Sequence, residues 1–232
     1  MHILITGASQ GIGLAIAEVF AKQGNTLLLS SRNDLKLYKT METLQTHYPD
    51  AVFYAKAFDL SVKEEAIALG KWALEKGTPD ILVNNAGLFE PGNISDEAEG
   101  VLESQMAVNL YSAYHLTRTV LPAMKKNARG FIFNICSVAG LQAYPNGGSY
   151  SISKFAMNGF SQNLRQELKP YGIKVSAFFP GAVMTASWGD FDNSEKRIME
   201  AGDIAKLIEA TTQLSAAACV EDIIIRPQLG DL

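Results

Sequence analysis

The sequence has little cysteine, little histidine and no long uncharged apolar run. Its 232 residues include two cysteines, Cys136 and Cys219, too few for a disulfide scaffold and not in a CxxC pair. Three histidines, His2, His47 and His115, are scattered without metal-ligand spacing, so no metal site is expected. The longest uncharged stretch, residues 130–153, is broken by four glycines and a proline. A membrane helix needs about 20 predominantly apolar residues, so this stretch does not qualify. No basic region followed by an apolar run precedes the first glycine motif, so no leader is expected. Charge of one sign is also scarce. With 20 basic and 24 acidic residues the net charge is −4, which leaves no electrostatic footprint for nucleic acid or an anionic membrane surface. These absences point to a cytoplasmic, reducing setting. What is present is core-forming material: 47% hydrophobic against 19% charged residues excludes a disordered chain.

Short strand-like runs alternate with longer helical patterns. The runs cover residues 2–6, 26–31, 52–58, 80–84, 130–136, 174–179 and 220–226. Several are continuously apolar, as strands covered on both faces are. Ile12, Ile16, Val19 and Phe20 fall on one face of a helix that ends before Gly24. Phe155, Phe160, Leu164 and Leu168 repeat the pattern in a helix closed by Pro170 and Gly172. The alternation predicts an α/β fold, one doubly wound parallel sheet of about seven strands spanning 1–232. No internal repeat or linker-like shift divides it. In such sheets ligands sit outside the carboxyl ends of the strands, at the switch point.

The residues at those ends carry the chemistry. The first strand runs into Thr6-Gly7-Ala8-Ser9-Gln10-Gly11-Ile12-Gly13 and then directly into a helix. Glycines there permit a tight turn and close approach to a pyrophosphate, which the helix N-terminus attracts. The spacing is GxxxGxG, and a plain strand-to-helix turn is the bland alternative. Asp59 closes the third strand. Because Ser61 to Glu64 reads as a capping box, Asp59 is expected to be free to accept from a base amine. Asn84-Asn85-Ala86-Gly87 ends the fourth strand with small residues. Tyr150 and Lys154 are four apart and share a helical face. Alone that pair carries no weight, but Ser137 follows the fifth strand and Tyr150 opens the next helix. An ammonium beside a phenol of pKa about 10 favours the phenolate, making it a usable acid or base.

In this order, Thr6 to Gly13, Asp59, Asn84 to Gly87, Asn109, Ser137, Tyr150, Lys154 and Pro180-Gly181 resemble the short-chain dehydrogenase/reductase family, from residue 2 to at least 187. The resemblance implies a Rossmann-like sheet of order 3-2-1-4-5-6-7 and hydride transfer between a nicotinamide cofactor and a carbonyl or alcohol. It implies that Ser137 orients the carbonyl, Tyr150 exchanges the proton, and Lys154 holds the ribose and lowers the Tyr150 pKa. Asn109 would complete a water-linked proton relay. The cofactor set it implies is Gly7, Ser9, Gln10, Gly11, Ile12, Gly13, Ser31, Arg32, Asp59, Leu60, Asn85, Ala86, Gly87, Tyr150, Lys154, Pro180, Gly181, Val183 and Thr185. A substrate lid is expected around 183–201. Residues 27–32, Ser187-Trp188-Gly189 and the ending 223–231 are similar to the bacterial sepiapterin reductase branch, which reduces side-chain carbonyls on a pterin.

Ser31 and Arg32 end the second strand where an acidic residue would repel a 2′-phosphate. NADP(H) is therefore expected over NAD(H), although no basic residue stands at Ser9 or Gln10. Leu141, Tyr144, Met184 and Trp188, with Phe191, are expected to line a mostly apolar pocket for a flat cyclic or aromatic ketone. Asp190, Asp192 or Asp231 could supply a carboxylate to it. Cys136 reads as a small core residue. Two other functions compete. A catalytically silent dinucleotide-binding regulator would be expected to have lost the proton-transfer set. A nucleotide-sugar epimerase would need more chain after Gly181 than the lid, helix and strand expected there. A homodimer or homotetramer through helices around 96–127 and 150–170 is expected, with a small-molecule substrate and neither nucleic acid nor membrane as partner.

Overall fold

All seven expected strands form, each within two residues of its sequence boundaries: β1 (His2–Thr6), β2 (Thr26–Ser31), β3 (Val52–Ala57), β4 (Ile81–Asn84), β5 (Gly130–Ile135), β6 (Ile173–Pro180) and β7 (Asp222–Ile225). The computed structural model describes residues 1–231; Leu232, the last residue of the expected domain, lies outside them. The strands pair in parallel in the order β3-β2-β1-β4-β5-β6-β7. The chain order reverses at β1, flanked by β2 and β4, which opens the switch-point crevice there.

Helices α1 (Gly11–Ala21), α2 (Asp34–His47), α3 (Lys63–Lys76), α4 (Val101–Met106), α5 (Ser112–Asn127), α6 (Gly148–Leu168) and α7 (Ala201–Thr212) cover the sheet. A π-helical turn, Ala107–Tyr111, joins α4 to α5. The period-2 alternation of β1 divides the core between the faces. Ile3 and Ile5 pack with Ile16 and Phe20 of α1, Leu37 of α2 and Ile204 and Ile208 of α7. Leu4 points the other way, to Leu69 of α3, Leu116 and Val120 of α5 and Leu164 and Leu168 of α6. Each of these side chains, all fully buried except Leu164, contributes about 1.5–3 kcal/mol when wholly removed from water.

Coverage on both faces holds for the central strands and fails at the margins. Val52 on β3 and Ile224 on β7 are exposed, because each edge strand lacks a neighbour on one side. The expected stripe on α6 is also only partly buried. Leu164 and Leu168 are in the core, whereas Phe155 is exposed beside Ile152. Buried Arg165, on the core side of α6, donates to Val175 O (3.0 Å) and pairs with Asp222 Oδ1 (2.6 Å), tying β7 to the helix layer. Residues 183–200 cross the carboxyl edge of the sheet with one short 3-10 turn, Ala186–Trp188. Their ends are joined by a bridge between Val183 and Met199. No helix among the described residues is long and apolar enough to cross a membrane.

Candidate active site

Two side chains close the crevice between β1 and β4. Thr6 Oγ1 accepts from the backbone N–H of both Asn85 and Ala86 (2.9 Å each) and donates to Val83 O (3.2 Å). Asn85 Nδ2 returns the contact, donating to Thr6 O (2.9 Å) and Gly7 O (3.2 Å). The glycine turn is seated on this clasp. Gly7 has φ +64°, which favours glycine. A Cβ on Gly13 would collide with the Gly7 carbonyl and lie 2.6 Å from Asn85 Nδ2. The turn is thus built for close backbone approach, with α1 beginning at its end. The sequence recognised Asn85 but not this bracing role, which depends on β4 lying beside β1.

From this turn a cavity of about 1200 Å³ runs along the carboxyl edge of the sheet. Gly7, Ser9, Gln10, Gly11 and Ile12 line one end, with Ser31, Arg32, Asp59 and Leu60. Asn85, Ala86, Gly87, Pro180, Gly181, Val183 and Thr185 line the middle. Only Gly13 of the expected cofactor set is absent from the wall, since it packs behind the turn. Thr185 lies over the turn: a Cβ on Gly11 would be 3.2 Å from its Cγ2.

The Asp59 expectation needs correction. The capping box at Ser61 does not form; Val62 is the α3 N-cap, without a side-chain cap. Ser61 instead donates to Asp59 Oδ1 from both N (3.0 Å) and Oγ (2.7 Å). Asp59 Oδ1 is the nearer acceptor and takes both Ser61 groups, so one Asp59 oxygen is engaged. Those bonds first, and the nearby Arg32 charge to a lesser degree, hold the Asp59 carboxyl below its usual pKa.

Ser137, Tyr150 and Lys154 line the same cavity. Ser137 follows β5 and Tyr150 lies in the first turn of α6, so strand end and helix start converge. Ser137 Oγ accepts from Ala139 N (3.1 Å), and its hydroxyl is near enough to the Tyr150 phenol to favour the ionised form. Lys154 Nζ sits over the Tyr150 ring, 5.6 Å from its centroid, and donates to Ile135 O (3.1 Å). Electrostatically the cluster differs from expectation. Burial raises the Tyr150 pKa above its ordinary value, with the nearby Ser137 hydroxyl opposing. The same burial lowers that of Lys154. Desolvation is the largest influence on both groups.

Asn109 stands behind this wall, in the π-helical turn. Its Oδ1 accepts from Leu88 N (2.7 Å), and its Nδ2 donates to Leu88 O (2.9 Å) and Ser153 Oγ (2.9 Å). The side chain thereby holds the segment after β4 against α6. Cys136 is buried, which pushes its thiol up to about 11. It is a core residue and not a nucleophile.

The substrate end is only partly as expected. Tyr144 and Trp188 line the cavity; Leu141 and Met184 do not. Leu141 follows a 3-10 turn, Val138–Gly140, and is exposed. Met184 is bonded through its backbone to Met199 (2.7 Å). Phe191 reaches the site only through Trp188, ring centroids 5.2 Å apart. Phe89 was missed: its ring meets Tyr150 edge-on at 4.8 Å. Its position five residues past the end of β4 was the available signal. Of the three candidate carboxylates only Asp231 lines the cavity, where it is paired with Arg226.

A nucleotide-type glycine turn and a phenol–hydroxyl–ammonium cluster open onto one cleft, the arrangement of a dinucleotide-dependent oxidoreductase. Residues 1–196 match the family model for short chain dehydrogenases, and the chain belongs to that family. An uncharacterized oxidoreductase of Staphylococcus saprophyticus is 33% identical, covering 97% of this chain and 96% of its own. The sepiapterin reductase of Chlorobaculum tepidum is also 33% identical, over 99% of this chain and 97% of its own. Among solved structures, an alcohol dehydrogenase from the archaeon Thermococcus sibiricus, complexed with 5-hydroxy-NADP, superposes with TM-score 0.90. It is 26% identical, with 98% of this chain and 96% of that one covered.

Proposed function

We propose that the protein is an NADP(H)-dependent carbonyl reductase, acting on flat cyclic or aromatic ketones such as a pterin side-chain carbonyl. The observation that carries this reading is the convergence of Ser137, Tyr150 and Lys154 on the cavity that begins at the glycine turn. The residues fit the cofactor: the turn from Gly7 to Ile12 lines the cavity with close-packed backbone, and Arg32 lines it beside Ser31. The NADP-type ligand of the archaeal relative supports the same assignment.

NADPH, when bound, supplies the hydride to the carbonyl carbon. The Ser137 hydroxyl donates to the carbonyl oxygen and orients it, and the Tyr150 phenol gives that oxygen its proton. The Lys154 ammonium holds the ribose and stabilises the phenolate left behind. Asn109 keeps the wall behind them in place. Tyr144, Trp188 and Phe89 supply aromatic surface for a flat ring, under a lid spanning 183–201. The Tyr144 phenol, on an exposed loop, is protonated at neutral pH and can donate to a polar ring edge. Exposed Tyr111, Tyr114, Ile152 and Phe155 support a homodimer or homotetramer.

The test is NADPH oxidation across quinones, diketones, aromatic ketones and sepiapterin, beside simple aliphatic ketones and sugars. Turnover should be fastest in the first group. Efficient turnover of small aliphatic substrates alone would remove the substrate reading.

A further inference from the structure

The glycine turn carries no basic residue, and Arg32 is the one cation that the sequence assigns to a 2′-phosphate. The fold supplies a second from outside the turn. Lys36 lies in the first turn of α2, its backbone N–H accepted by the Asn33 side chain (2.9 Å). From there the side chain reaches back to the glycine turn, where Nζ donates to Gln10 Oε1. Lys36, Gln10 and Arg32 line the same end of the cavity.

We propose that Lys36, steered by Gln10, is the second cation of the 2′-phosphate site and shares with Arg32 the discrimination of NADP(H) from NAD(H). This rests on the cofactor reading above. A phosphate monoester carries about −1.5 to −2 charges at neutral pH, more than one guanidinium neutralises. The Asp59 carboxylate also lies close enough to feel the Arg32 charge, so part of that positive potential is offset. A second cation restores the balance. Asp34, the other nearby acid, is exposed and turned onto its own helix, accepting from Leu35 N (2.7 Å).

Chemistry favours the role as well as charge. An ammonium has three donors, and Gln10 takes one, leaving two for phosphate oxygens. The Gln10 contact also restrains a flexible four-carbon stem, so less side-chain freedom is lost on binding. Both cations are exposed, so solvent screens each contact. An effect of about tenfold per residue is expected, the equivalent of 1.4 kcal/mol.

The experiment measures dissociation constants for NADPH and NADH by fluorescence titration, and for 2′,5′-ADP by calorimetry, with no turnover required. Lys36→Met should weaken NADPH and 2′,5′-ADP by about tenfold and change NADH by less than about twofold. Gln10→Ala should show the same selectivity at about threefold. The double variant Arg32→Ala, Lys36→Met should bind NADPH and NADH alike. Equal effects of Lys36→Met on both nucleotides, or none on either, overturn the assignment of Lys36. If Arg32→Ala alone erases the preference, only that assignment falls. Wild-type protein that binds NADH as tightly as NADPH overturns the cofactor reading together with it.

Discussion

The two ends of the cleft are built by different means. The nucleotide end is mainly backbone: Gly7 and Gly13 packed against the strand, braced by Thr6 and Asn85 through hydrogen bonds of 2.9–3.2 Å. The substrate end is side chains on exposed connections. Trp188 follows β6 on a short 3-10 turn, Tyr144 lies in the loop before α6, and Asp231 comes from the chain terminus. The Val183–Met199 bridge joins the ends of segment 183–200, and Arg197 Nη1 donates to Gly230 O (2.9 Å), joining that segment to the tail. Buried backbone tolerates little change, whereas loops over a rigid sheet can alter specificity without disturbing the fold. Under the function proposed above, cofactor chemistry belongs to the first end and substrate choice to the second.

The largest expected effect lies at the junction. Tyr150→Phe should lower kcat by at least about 100-fold, the smallest usual contribution of a general acid. NADPH affinity should stay within about twofold, because Lys154 remains; steady-state kinetics and a binding titration read the two separately. Residual activity above about a tenth of wild type would remove the proton-donor role.

Lys154→Met should also abolish most turnover, and it should weaken NADPH. It takes a desolvated cation out of the core, so the melting temperature should hold or rise, at about 2–4 °C per kcal/mol for a chain of this size. A clear fall in Tm would show that the ammonium stabilises the fold.

At the nucleotide end, Gly13→Ala should weaken both nucleotides by about tenfold or more. It should also cost about 1–3 kcal/mol of stability, since the new methyl meets the Gly7 carbonyl. At the substrate end, Trp188→Ala should raise KM for a flat aromatic ketone by about tenfold, in line with removal of a buried aromatic contact. Its NADPH affinity and Tm should barely move. If Trp188→Ala unfolds the protein, or Gly13→Ala acts on KM for substrate alone, the contrast between the two ends fails.

The smallest expected effect concerns pH. Burial holds the Tyr150 phenol above its ordinary value of about 10, so it stays protonated through the neutral range. Reduction, which consumes that proton, should be flat there and fall only in alkali. Oxidation, which needs the phenolate, should climb with pH. Profiles of kcat/KM in both directions test this, and a reduction rate that drops near neutrality would contradict it.

Strand positions were legible because their signals are local: apolar runs, breakers and the glycine turn at the end of β1; sheet order was implied by the family resemblance and is the order observed. The proton-transfer residues were legible as a motif, and three of the four, Ser137, Tyr150 and Lys154, meet in the cavity. Asn109 is not part of its wall; its side-chain amide bonds to Leu88 and Ser153. The Ser61 capping box failed because Asp59 offers a nearer acceptor. Leu141 and Met184 were placed in the pocket by proximity along the chain, which does not say where a loop turns.

By itself, the sequence determined the alternation of strands and helices, the glycine turn and the spacing of Tyr150 and Lys154. These follow from steric and helical periodicities that act over a few residues. Tertiary structure alone decided that Asn85 braces the turn, that Phe89 meets Tyr150, that Lys36 reaches Gln10 and that Asp231 lies at the cleft. It also decided the sign of the Tyr150 shift, because desolvation depends on everything packed around a group, and those neighbours come from distant parts of the chain.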